Sequence, residues 1–180
     1  MFKEKAIRHT ASDRAQYARY RHMLGQDCPA DLAAFQRIKY TDEARWGRMK
    51  WDYRFENKYH AKDASELLPN HSEAYGINEK LTAYSLNPEH ETGKNKAKVF
   101  QSALGFNGDN TATLEREIRK GVAAYKAYGI GDRGYGNKYS VVMLISGPKG
   151  KQPIKTGWIY NKGIDSPRMV TAYVEDHKRP

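Results

Sequence analysis

Between Lys126 and Val174 short apolar runs alternate with glycine-centred breaks, a spacing that no long helix accommodates. Lys126 to Ile130, Lys138 to Ser146, Gln152 to Tyr160 and Arg168 to Val174 are rich in β-branched and aromatic residues, as strands are. Gly131-Asp132-Arg133-Gly134, Gly147-Pro148-Lys149-Gly150 and Asn161-Lys162-Gly163 separate them. Links this short join antiparallel neighbours, because a parallel crossover needs about a dozen residues or more. A four-stranded antiparallel meander is expected. Two helical segments precede it. Lys94 to Leu104 stops at Gly105, and Thr111 to Tyr125 carries Leu114, Ile118, Val122 and Tyr125 on one stripe. The fold class is therefore α+β, with the helices packed on one face of the sheet.

The first part of the chain reads differently. Tyr17, Tyr20 and Leu24, then Leu32, Phe35 and Ile38, then Trp46, Met49 and Tyr53 recur at helical spacing. Pro29 and Thr41-Asp42-Glu43 divide them into three helices. From His60 to Gly76 the periodicity stops, and Pro69-Asn70-His71-Ser72 marks a linker. The expected organisation is a helical spacer or delivery segment over 1–60, a linker over 61–76 and an α+β domain over 77–180.

Charge narrows the partner. The 180 residues carry 31 Lys and Arg against 21 Asp and Glu, a net +10, of which residues 79–180 supply +7. That excess points to a polyanion. The longest apolar run, Val141 to Ile145, is far short of the roughly 20 residues that cross a bilayer, so no membrane span is expected. Cys28 is the single cysteine, which rules out an intrachain disulfide and a cysteine-based zinc cluster. Met1-Phe2-Lys3-Glu4-Lys5 has charge but no apolar core, so no secretory signal is expected there.

Two clusters carry chemistry. The first runs from Lys80 to Lys96 and gathers Lys80, Tyr84, His90, Lys94 and Lys96 around Gly93, which opens a helix. A helix amino terminus offers free N–H groups to a phosphate, and His90 is a candidate general acid or base. A solvated loop with a capping turn accounts for the same residues. The second cluster comprises Lys138 and Tyr139, Thr156 and Trp158, and Arg168, Thr171 and Tyr173. Strand propensity alone explains threonine and tyrosine here, whereas a basic sheet face with aromatic rings is also how proteins stack RNA bases. The other histidines, His9, His22, His60, His71 and His177, read as surface residues. No HxxxH or HxH pair, no carboxylate cluster, no GxxxxGK loop and no GxSxG elbow occurs. Neither a metal nor a cofactor is expected.

Glu79 to His90, followed by Gly93, Lys96-Ala97 and Phe100, resembles the opening of an uncharacterised domain family found at the carboxy termini of bacterial polymorphic toxins and phage MuF-type minor-head proteins. Tyr135 to Tyr139, Gly147 to Gly150, Thr156 to Ile159 and Pro167 to Tyr173 resemble its later blocks. Tyr20 to Gly25 and Phe35 to Tyr40 look like the spacer before toxin tips in MuF-type proteins. The helix, helix, four-strand order is similar to the Barnase, EndoU, colicin and RelE ribonucleases. The resemblance implies metal-independent cleavage of RNA, tRNA among the candidates, by in-line attack of the ribose 2′-OH. His90 would then act as base or acid, Lys80 and Arg168 would stabilise the phosphorane, and Thr171 and Tyr173 would hold the phosphate. Tyr84, Lys94, Lys96, Lys138, Thr156 and Trp158 would bind substrate. With one histidine in the matched blocks, a lysine or tyrosine must take the second proton role. The implied partners are RNA, a larger carrier polypeptide at the amino terminus, and an acidic immunity protein over Lys94, Lys96, Lys138 and Arg168. Delivery would run from the producing bacterium, or a phage particle, to the target-cell cytoplasm. A different class explains the same charge: a non-catalytic basic module that binds nucleic acid or packages it in a phage head. An ADP-ribosyltransferase has only Glu175 as a late-strand catalytic candidate.

Overall fold

The computed structural model describes residues 11–132, 134, 136–176 and 179–180; His9, Tyr135 and His177 lie outside them. The chain divides between Lys58 and Tyr59 into two compact units. In the first, α1 (Ala11–Leu24), α2 (Leu32–Thr41) and α3 (Glu43–Tyr59) form on the expected periodicities. Asp31 caps α2 by accepting from Ala34 N at 2.8 Å, one of the orphan donors that a helix start leaves. The apolar stripes meet in a core of Tyr20, Leu24, Cys28, Phe35, Ile38 and Met49. Tyr20 stacks on Tyr53, with ring centroids 4.3 Å apart and planes 5° from parallel. Asp13 and Asp52 are buried in this unit; Asp13 accepts from Lys39 Nζ at 2.6 Å, Gln36 Nε2 at 2.9 Å and the Tyr40 hydroxyl at 3.0 Å. Three donors replace the water it loses.

The second unit holds the α+β fold. Ile77–Lys80 forms α4, which widens into a π-helical turn over Leu81–Ser85; α5 is Lys94–Ala103 and α6 is Thr111–Val122. The sheet is an antiparallel meander in the order β1 (Ala127–Asp132), β2 (Asn137–Gly147), β3 (Gly150–Tyr160), β4 (Arg168–Val174). Val141, Thr156 and Ala172 share one cross-strand row, and Met143, Ile154 and Val174 the next. These residues are buried together with Trp158, Leu114, Ile118 and Phe100. α6 packs on β2, and α5 on β3 and β4. Each fully buried side chain of this size contributes about 1.5–3 kcal/mol relative to exposure.

The structure corrects three expectations. The segment 61–76 is not a free linker. Lys126 N donates to Tyr59 O and Ala61 N to Ala124 O, both at 2.8 Å. Leu68 is fully buried, and Tyr75 pairs with Arg168 in a parallel bridge. Isolated bridges of this sort give the sequence no periodicity, so the segment resembles a loop. The solvated loop offered as one account of Lys80 to Lys96 does not hold at its start, because residues 77–85 are helical. Thr156 and Trp158 share a face, but it is the buried one. Thr156 Oγ1 donates to Val141 O at 3.2 Å and accepts from Trp158 Nε1 at 2.9 Å, and neither residue is exposed. Both side chains are enclosed within the fold.

A chain beginning at Ile77 loses Leu68, Ala74 and the Tyr75 bridge, whereas one beginning at Tyr59 keeps them. In urea titrations the longer fragment is expected to unfold cooperatively and the shorter one not. Within the full chain, Leu68→Ala is expected to cost about 2–5 kcal/mol. Equal stability of the two fragments would restore the linker reading.

A candidate active site at the edge of the sheet

The π-helical turn fixes the first part of the site. Leu86 N donates to Leu81 O at 2.8 Å, five residues back, and such wide turns are frequent at functional sites. Leu81 and Ser85 are buried, and Ser85 Oγ donates to Ala172 O of β4 at 3.2 Å. With that side of the turn fastened to the edge strand, Lys80 and Tyr84 are left half-buried. Lys80 Nζ lies 4.2 Å from the Tyr84 ring centroid, within cation–π range.

The turn after Asn87-Pro88 brings His90 against the same ring, edge to face, at 4.6 Å. His90 Nδ1 accepts from Thr92 N at 3.3 Å and from Gly93 N at 3.1 Å. Those bonds occupy the Nδ1 lone pair, so in the neutral ring Nε2 carries the proton and serves as a donor. Gly93 is required at this corner, because a Cβ there would stand 2.4 Å from the Tyr84 carbonyl oxygen. Lys94 N donates to His90 O at 3.0 Å. Three backbone N–H groups expected to be open to a phosphate at the start of α5 are therefore spent on His90.

Lys96 closes the cluster from α5. Its Nζ donates to Thr171 Oγ1 of β4 at 3.0 Å and lies 4.8 Å from the Tyr84 centroid and 5.4 Å from that of Tyr173. Thr171 lies beside Gly157, where a Cβ would come within 2.8 Å of the threonine methyl. A hydrogen bond from the Thr92 hydroxyl, then the charge of Lys96 and that of Lys80, hold the Tyr84 phenol below its ordinary value. The ammonium groups and the hydroxyl all favour the phenolate.

Six of the residues singled out in the sequence thus meet: Lys80, Tyr84, His90, Lys96, Thr171 and Tyr173. The others do not join them. Arg168 is exposed at the start of β4, with its side chain against Gly76. Lys138 of β2 pairs with Ile159 of β3, in the row that leads to Arg168. Lys94 is exposed. Thr92 was missed; the only trace of its role was its place between His90 and Gly93. Among the described residues, no group of three or more His, Cys, Asp or Glu side chains is placed to hold a metal, and no helix is long and apolar enough to cross a membrane.

The model of a family described as a domain of unknown function (DUF6883) matches residues 67–176, a stretch that takes in both Leu68 and Tyr75. No curated protein matches the chain.

Absorbance titration at the phenolate band is expected to show one tyrosine ionising earlier than the rest, and to lose that step in Tyr84→Phe. Thr92→Val removes the largest lowering influence, so it is expected to move the step upward, while Thr92→Ser retains it. A step unmoved by Thr92→Val would detach Thr92 from the phenol.

Proposed function

The chain belongs to the DUF6883 family, and we propose from the Tyr84 cluster that it cleaves RNA without a metal, by attack of a ribose 2′-OH on the adjacent phosphate. The observation that carries the reading is the convergence of two ammonium groups and an imidazole on one phenol of lowered proton affinity. Perturbed groups gathered in this way are a mark of proton-transfer sites.

The roles follow from the chemistry of each group. Tyr84 as phenolate takes the 2′-OH proton. Lys96, steadied by Thr171 and flanked by two rings, neutralises a non-bridging oxygen as charge builds on the phosphorane. His90 donates from Nε2 to another oxygen and positions the Tyr84 ring. Lys80 gives a proton to the departing 5′ oxygen. The base role moves from His90 to Tyr84, because the backbone already holds the His90 Nδ1 lone pair. Thr171 and Tyr173 steady Lys96 and the phosphate beside it. Arg168 and Lys138 lie farther along the strands and attract the polyanion at long range.

On the same reading the chain is a toxin domain carried by a larger polypeptide into a target cell. A small acidic protein would silence it in its producer by covering Lys96 and its neighbours.

Incubation with total RNA in EDTA is expected to yield fragments ending in 2′,3′-cyclic phosphate. The rate is expected to rise with pH until Tyr84 is ionised, because the base must be deprotonated, and that rising limb is expected to vanish in Tyr84→Phe. Tyr84→Phe and Lys96→Ala are each expected to slow cleavage at least about a hundredfold. Retarded migration of RNA without fragments would favour the packaging module, and wild-type rates in Tyr84→Phe would remove the phenol from the mechanism.

A further inference from the structure

A cavity of about 680 Å³ opens where β2 begins and β3 ends, away from the Tyr84 cluster. Asn137 and Tyr160 face each other across the two strands, and the Tyr139 ring meets Tyr160 at 5.4 Å and 71°. The walls are tied in place. The Tyr160 hydroxyl donates to the Pro69 carbonyl, and burial, with the Tyr139 phenol adding to it, pushes the Tyr160 phenol up and keeps it a neutral donor. Asn70 Nδ2 donates to Asp165 O at 3.0 Å, which joins the two loops that border the opening. Lys162, Asp165 and Asp132 also line it, and the Asp132 carboxylate is already engaged, accepting from Gly134 N at 2.7 Å and Gly136 N at 3.0 Å. Among the described residues, no hydrogen bond or ion pair engages the side chains of Asn137, Lys162 or Asp165.

A preformed cavity of this size falls in the range of small-ligand sites. Its free groups are an amide that both donates and accepts, a carboxylate that accepts and an ammonium, set beside two aromatic rings. A nucleobase offers the matching partners: a flat face for an aromatic ring and a polar edge for the amide and carboxylate. The ammonium suits the attached phosphate. The free carboxylate of Asp165 selects among bases, because it pairs with an exocyclic amino group and repels a carbonyl. The Ser140–Gly157–Thr171 row is three residues along β2 from Asn137 and two strands across, roughly 14 Å in the plane of the sheet. The odd offset puts Thr171 on the face opposite Asn137, so a single strand bound at both places passes around the sheet rather than straight across it.

We propose that this cavity is a base-recognition subsite for the RNA strand cut at the Tyr84 cluster, and that it takes an unpaired base bearing an exocyclic amino group. The choice of ligand class rests on the RNA-cleavage reading; the cavity and its free groups do not.

Calorimetric titration of the full-length protein with AMP, GMP, CMP and UMP tests the subsite without requiring turnover. At least one amino-bearing nucleotide is expected to bind about tenfold or more tightly than UMP, the discrimination that one mismatched polar edge brings. Asp165→Ala, a change at an exposed position, is expected to abolish that preference. Tyr139→Ala is expected to weaken binding, and Tyr139→Phe, which keeps the ring, to preserve it. Equal binding of all four nucleotides, no binding at millimolar concentration, or a preference unchanged by Asp165→Ala would overturn the subsite. Selective nucleotide binding by a protein that leaves RNA uncut would keep the subsite and remove the nuclease reading. RNA cleavage whose base preference survives Asp165→Ala would do the reverse.

Discussion

The unbroken pairing of β2 with β3, from Asn137 opposite Tyr160 to Gly147 opposite Gly150, is the constraint on which the second unit depends. With side chains alternating along a strand, that register alone decides that Val141, Met143, Thr156 and Trp158 go under the helices. A slip of one residue would turn Trp158 outward and bring Lys155 to the buried face. The register passes to β4 through a bulge between Gly157 and Trp158, and the bulge lets Thr171 stand beside Gly157, where Lys96 can reach it. The position of the site on the edge strand thus follows from a hairpin that contributes none of the site's six clustered side chains.

The site itself needs a second fastening. Lys80 and Tyr84 come from a segment too short to hold a helix by propensity, and it is kept in place by burial of Ile77 and Leu81 and by the Ser85 bond to Ala172. The wide turn then aims Tyr84 at a corner where His90, Thr92 and Gly93 are already bonded to one another. Three cation–π contacts follow from two lysines on two helices. Two ammonium groups this close repel one another, and the electron-rich ring between them offsets part of that cost. On the proposed reading, a phosphate bound at the cluster would offset more.

The strands were legible because apolar runs broken by glycine turns admit little else: β4 spans the residues expected, and β2 and β3 differ by at most two residues at an end. The helical stripes of the first unit were legible for the same reason. What the sequence hid is what long-range pairing decides. Nothing local marks His60 as a bridge partner of Tyr125, or Tyr75 of Arg168, so 61–76 passed for a linker. Period-2 alternation placed Thr156 and Trp158 on one face but carried no sign of which face is covered. Of the site, the residue types were visible and their convergence was not. Lys96 and Thr171 are 75 residues apart in the chain. The roles were less legible still, since His90 looks like a base until its Nδ1 partners are seen.

On the proposed reading, RNA phosphate sits at the Tyr84 cluster. The most direct measurement is NMR shift mapping of the full-length protein with a short 2′-O-methyl RNA, which binds without a nucleophile and so is not cut. Resonances of Tyr84, Thr92, Lys96 and Thr171 are expected to move together and to saturate at one affinity. Shifts confined to the helical unit, or spread evenly over every exposed lysine, would contradict the account.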